Sequence, residues 1–250
     1  FATQGTLTFP TRGPGGRLSP ADAGQPLQLL DATMRAQFNQ IAAGNYHLRL
    51  HPNVLPSVTI DVPGGQGVLL QNSLGVVFAA IDIQWWTNRL HNLLKKNDPA
   101  HLSLYVTDDT MAYVGNKNKF ILAALGFHGA NNDKPLKASD NTVVRTYAWA
   151  TWMSPGLFAQ PNGGLFWNFQ DVDTVSHEIS EWANDPFINN TVEPWFVQGV
   201  CSPFLETGDP VNNVGFAMGT NTFRQGPNPD GTQSADGFYH PQDEAFLGWF

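Results

Sequence analysis

Apolar residues first recur with a helical period at Leu27, Leu30, Met34, Phe38 and Ile41, in steps of three and four that place them on one face. Gly44-Asn45 follows and predicts the stop of that helix. Tyr46–Leu50 and Ser57–Val62 alternate apolar with polar positions and read as strands. A second amphipathic helix is expected over Ala79–Lys96, with Ile83, Trp86, Leu90 and Leu93 on one side. Lys95 and Lys96 fall in its last turn, where the helix dipole favours positive charge, and Asp98-Pro99 ends it.

Leu102–Thr107 is a further strand, Phe120–His128 a buried apolar strand, and Val143–Thr151 a strand with Val, Tyr and Trp at positions suited to a pleated surface. Asn131–Asp140 between them is polar and reads as a loop. A third helix starts near Asp171 or Asp173 and cannot pass Pro186. Residues 1–25 resemble an extended arm rich in Gly, Pro, Thr and Ala, and Pro186–Phe250 reads as loops with little periodicity. These elements predict an α+β fold, a mixed sheet with helices and a long loop-rich C-terminal third, in a single domain over 1–250.

Composition narrows the class. Of 250 residues 42% are hydrophobic, enough for a core, while only 14% are charged, against roughly 25% in an average soluble domain. That balance suits an extracellular, loop-rich protein. A net charge of −8 without a basic patch argues against a nucleic-acid partner. No apolar run approaches the ~18–20 residues of a membrane span. The single cysteine, Cys201, excludes an intramolecular disulfide and a cysteine zinc site, and is expected inside as a small apolar residue. A chain that starts at Phe1 reads as processed, in keeping with secretion. Asn189-Asn190-Thr191 is a glycosylation sequon, and the eight tryptophans are expected mainly in packing, with a glycan cleft as the other use.

The chemistry lies in the third helix. Val172, Val175, Ile179 and Trp182 form its apolar stripe, while His177, Glu181 and Asn184 lie on another face at i, i+4 and i+7. Side chains at i and i+4 stand roughly 5–6 Å apart at Cβ, so His177 and Glu181 can reach one ion, as the two histidines of His-Glu-x-x-His do. Glu178, the next residue, occupies the position of a general base. Glu206 and Asp209, in the bent turn Leu205-Glu206-Thr207-Gly208-Asp209-Pro210, offer a third, oxygen ligand. His128, between glycines at a strand end, is expected at a cleft as a ligand or transition-state donor, and His240 is a weaker candidate.

Together, Leu104–Asp108, Gly126-Phe127-His128-Gly129, Tyr147-Ala148-Trp149, Val175–Glu181 with Asn184-Asp185-Pro186, and Glu206–Asp209 resemble the exordium, or phosphate-induced, family of secreted, cell-wall-associated proteins. The resemblance covers residues 102–210, closer to bacterial and fungal relatives than to the plant forms, whose cysteines are missing here. It implies a zincin-like metal site but no substrate.

The expectation is therefore a secreted zinc-dependent hydrolase acting on protein or peptide, a metallopeptidase. His177, Glu181 and one of Glu206 and Asp209 hold zinc, a water fills the open position, Glu178 is the base, and His128 stabilises the oxyanion. The alternative is a non-catalytic module, stabilised by zinc or calcium with Asp185 as a further oxygen ligand, that binds cell-wall material or glycan. A third is a redox metal on His128, His177 and Glu181.

Overall fold

The structure is a computed structural model and describes residues 7–8, 26–38, 47–116, 119–131, 143–158, 169–197, 200–212, 214–215, 217–218, 238–242 and 245–250. Two short strands, β1 (Leu7–Thr8) and β2 (Pro26–Leu27), pair antiparallel. Helix α1 (Leu29–Gln37) follows and buries Leu29, Leu30 and Met34. It is shorter than its periodicity predicts, because Leu27 belongs to β2, Phe38 is the C-cap, and Ile41 lies outside the described residues.

The expected strands at Tyr46–Leu50 and Ser57–Val62 do not form among the described residues. Residues 48–50 instead hydrogen-bond to side chains at the start of α1. Leu48 N donates to the buried Asp31 carboxylate (2.9 Å), and Leu50 N donates to Gln28 Oε1 (2.7 Å) while Gln28 Nε2 donates to Leu50 O (3.0 Å). The alternation at Ser57–Val62 meets no partner strand and stays largely exposed.

One four-stranded mixed sheet runs in the order β3 (Gly67–Gln71), β4 (Val77–Asp82), β6 (Thr110–Asn116), β7 (Lys119–Ala124). Its β4 and β6 are parallel, joined by helix α2 (Ile83–Leu94) and strand β5 (Ser103–Asp108). Residues 79–82, expected as the first turn of the helix, belong instead to strand β4. Asp82 separates the two elements, its carboxylate accepting from Trp85 N at 2.8 Å as an N-cap. A three-stranded mixed sheet places β9 (Thr146–Trp152) between parallel β5 and antiparallel β8 (Gly126–Ala130). The expected strand Phe120–His128 is thus two strands, β7 and β8, in different sheets, divided at Leu125.

Strand β9 sorts the core. Tyr147 and Trp149 point to the α2 side, where Ile81, Trp86, Leu90, Leu94 and Ala112 pack against them. Ala150, on the opposite face, meets Leu30 and Met34 of α1 and Val175 and Ile179 of helix α3 (Asp173–Asn184). After α3 an antiparallel hairpin, β10 (Thr191–Val197) and β11 (Val200–Phe204), replaces the expected loops. Its strands contain Pro194 and Pro203 and lie largely exposed on both faces, which erases the alternation that marks a half-buried strand. Cys201, expected inside, is exposed on β11. No helix among the described residues is long and apolar enough to cross a membrane.

Leu90 is fully buried whereas Leu69 on β3 is 73% exposed. Leu90→Ala is expected to lower unfolding free energy by ~2–5 kcal/mol and Leu69→Ala by less than ~0.5 kcal/mol. Urea denaturation followed by tryptophan fluorescence measures both.

Candidate metal centre

Opposite residues in an antiparallel pair share a face, so the register of β8 with β9 puts Gly126 and His128 beside Ala150 and Ala148, under α3. Side chains this small leave room for the helix to lie close. At Gly126 the room is fully used, since a Cβ there would stand 2.5 Å from both Cγ and Oε1 of Glu178. Helix α3 thereby brings Glu178 and Glu181 over the sheet, both almost fully buried, with His128 equally buried beneath them. His128, expected at a cleft, is therefore buried instead.

Two groups of donors converge, each with its ligand atoms within 4.8 Å of one another: His128, Glu178 and Glu181, and His177, Glu181 and Asp209. His177 Nε2 lies 3.1 Å from Glu181 Oε2 and 3.5 Å from Asp209 Oδ1. His128 Nδ1 lies 3.5 Å from Glu178 Oε2 and 3.9 Å from Glu181 Oε2. Of the two turn carboxylates Asp209 reaches a donor group and Glu206 stands outside both, although it remains close enough to perturb its neighbours. His128 and His177 do not share a group, so the iron-type set of His128, His177 and Glu181 is not assembled.

Hydrogen bonds fix how the donors face. Gln242 Nε2 donates to Gly208 O at 2.7 Å, which leaves its Oε1 as the acceptor for His177 Nδ1 at 2.6 Å. His177 therefore carries its hydrogen on Nδ1 and turns Nε2 toward Glu181 and Asp209. His128 Nε2 must donate to its partner, the Asp185 carbonyl at 3.0 Å, which turns Nδ1 toward Glu178 and Glu181. Glu181 Oε1 accepts from Gly208 N at 3.1 Å and Asp209 N at 3.2 Å, leaving Oε2 to face the histidines. Glu178 Oε2 is buried and accepts no hydrogen bond. Inward-facing imidazole nitrogens opposite carboxylate oxygens need a cation between them, either a proton on the ring or a metal ion.

The expected neighbours sort clearly. Asn184 is not at the centre; its Nδ2 donates to Ser180 O at 2.9 Å. Nor does the Asp185 carboxylate reach it, since it accepts from the amides of Asn189 and Asn190 at 3.1 and 2.9 Å. His240 is a buried anchor: its N donates to Asp171 Oδ1 and its Nδ1 faces Asp171 Oδ2, both at 2.8 Å. Asp171, two residues before the start of α3, adopts a positive φ of 43°. The anchor sets Gln242, two residues on, against the helix, where its N donates to Ser176 Oγ at 3.1 Å. Gln242 and Gly208 are the functional residues that sequence reasoning misses. Gly208 has an ordinary φ of −85°, so its value is space: a Cβ would stand 2.7 Å from His177 Nδ1.

Electrostatics report crowded acid. Burial alone would depress His128, but the facing Glu178 carboxylate, with the charges of Glu181 and Glu206, raises it to about 9. Burial likewise opposes charge on His177, and Glu181, Glu178 and Asp209 override it, holding the ring well above the usual histidine range. Burial, then Glu181, lifts Glu206 to about 8 and Asp209 to about 6. Burial raises Glu178 against the opposing pull of His128 and His177. Burial also pushes Glu181 upward, but His177, His128 and the Gly208 amide outweigh it and hold this carboxyl below its ordinary value.

Comparison with protein-family models, with curated proteins and with solved structures gives no match.

The raised groups give the metal-free protein a definite pH slope. Each binds more protons folded than unfolded, so its stabilising contribution is complete below the unfolded value and disappears as pH rises through about 6 for Asp209, 8 for Glu206 and 9 for His128. Chelator-treated protein is expected to melt at falling temperature from about pH 6 to about pH 9. Zinc competes with the same protons, so its added stabilisation grows over that interval. Differential scanning fluorimetry with and without zinc checks both signs. Gly208→Ala is expected to weaken zinc binding by ~10–100-fold. Gly64→Ala, where a Cβ meets nothing within 4 Å, leaves it unchanged in a competition titration with a chromophoric chelator.

Proposed function

We propose that the chain is a secreted zinc-dependent hydrolase, a metallopeptidase, with zinc on His177, Glu181 and Asp209 and with Glu178 as its general base. The observation that carries the reading is the convergence of His177 Nε2, Glu181 Oε2 and Asp209 Oδ1, with the ring nitrogen aimed by Gln242. A nitrogen donor with carboxylate oxygens suits zinc better than calcium, which takes oxygen ligands. The close stacking of α3 on the sheet, with the metal face of the helix over β8, supports a zincin-like arrangement, as does the resemblance to the exordium family.

Zinc held there supplies a Lewis acid and lowers the pKa of a coordinated water. Glu178 lies beside the ligand group without belonging to it. Its free oxygen is available to take a proton from water as the oxygen attacks a peptide carbonyl, and to pass it to the leaving amine. Burial raises this carboxyl above an ordinary glutamate, which makes it the stronger proton acceptor. His128 Nδ1 faces Glu178 Oε2 at 3.5 Å, so His128 positions the base rather than stabilising the oxyanion.

Glu178→Gln, loaded with one equivalent of zinc, is expected to keep its ion and melting temperature while kcat/KM on an unfolded-protein substrate falls by ~10²–10⁴-fold. Loss of the ion instead would make Glu178 a ligand of that zinc. A zinc-loaded wild type that cleaves no peptide would favour the binding-module reading.

A further inference from the structure

Glu181 belongs to both donor groups, while His128 belongs to one and His177 to the other. A single ion at His177 would leave His128 Nδ1 and the buried Glu178 Oε2 facing each other at 3.5 Å with no cation required by the first site. The Nε2 hydrogen of His128 is committed to the Asp185 carbonyl, so its inward nitrogen is a lone-pair donor whenever the ring is neutral.

We propose that His128, Glu178 and Glu181 form a second divalent-cation site, bridged to the first through Glu181. Glu181 Oε2 is the geometric link, 3.1 Å from His177 Nε2 and 3.9 Å from His128 Nδ1, while Oε1 is held by the Gly208 and Asp209 amides. Paired ions that share a carboxylate typically lie ~3.5–4 Å apart. Gly126 is part of the site, since any side chain there displaces the Glu178 carboxylate. The second site rests on the proposed hydrolase only in its consequence. Filling it engages the free oxygen of Glu178, the proton acceptor, so the enzyme is active with one zinc and inhibited by excess zinc.

Native mass spectrometry and zinc titration of the full chain test the site. Wild type is expected to bind two ions and His128→Ala one, whereas a wild type that takes only one ion at millimolar zinc, or a His128→Ala variant that still takes two, overturns the proposal. Should His128→Ala fail to fold, wild type loaded with two equivalents of manganese answers the question by electron paramagnetic resonance. An exchange-coupled pair supports the site, and an uncoupled six-line signal overturns it. Two ions bound at excess zinc, with no hydrolysis at one equivalent either, would uphold the second site and sink the hydrolase. One bound ion with hydrolysis unaffected by excess zinc would do the reverse.

Discussion

Helix α3 can lie on its sheet only because the strip beneath it has almost no side chains. Gly126, Ala148 and Ala150 form that strip, and the contact is close enough that a methyl group at Gly126 would collide with Glu178. Everything at the centre follows from this approach. It buries Glu178 and Glu181, sets His128 within reach of both, and leaves His177 at the margin where the Gly208 turn and Gln242 can meet it. A wider gap would admit water and relax the carboxylates. The tight one confines them against two histidines in a poorly solvated space, where unpaired charge is costly and a cation is the natural remedy.

The helix is supported from both ends of the chain. Met34 and Leu30 of α1 pack on Val175 and Ile179, so the N-terminal helix holds the back of α3. On the other side the Asp171–His240 contact ties the C-terminal segment to the chain just before α3, and this contact delivers Gln242 to His177. The orientation of a candidate ligand thus depends on a residue 65 positions away in sequence. Such outer partners commonly matter to a metal site almost as much as the ligands themselves.

Much of the centre was legible in the sequence because helix geometry is local. The i, i+4 placement of His177 and Glu181 and the apolar stripe of Val172, Val175, Ile179 and Trp182 depend only on the turn of a helix; the structure keeps the pair and buries the first three of the stripe, while Trp182 is half-buried. Asp209 was legible as one of two turn carboxylates, but choosing it over Glu206 required the fold of that turn. Gln242 could not be found, since Gly-Phe-Tyr-His-Pro-Gln has no periodicity and its role exists only after the C-terminal segment returns to α3. Strand β4 was missed for a different reason. Its second half, residues 79–82, suits the first turn of a helix as well as a strand, and only pairing with β3 and β6 decides between them. Conversely, the alternation at Ser57–Val62 was a strand pattern without a neighbour.

The central claim is that a metal ion, not a proton, lies between His177, Glu181 and Asp209. Anomalous diffraction from crystals grown without chelator, collected on both sides of the zinc absorption edge, tests it most directly. The account predicts a zinc peak at ~2.0–2.2 Å from His177 Nε2 and a carboxylate oxygen of Glu181. A flat anomalous map, with His177 and Glu181 in direct hydrogen-bond contact in crystals soaked with zinc, would contradict it.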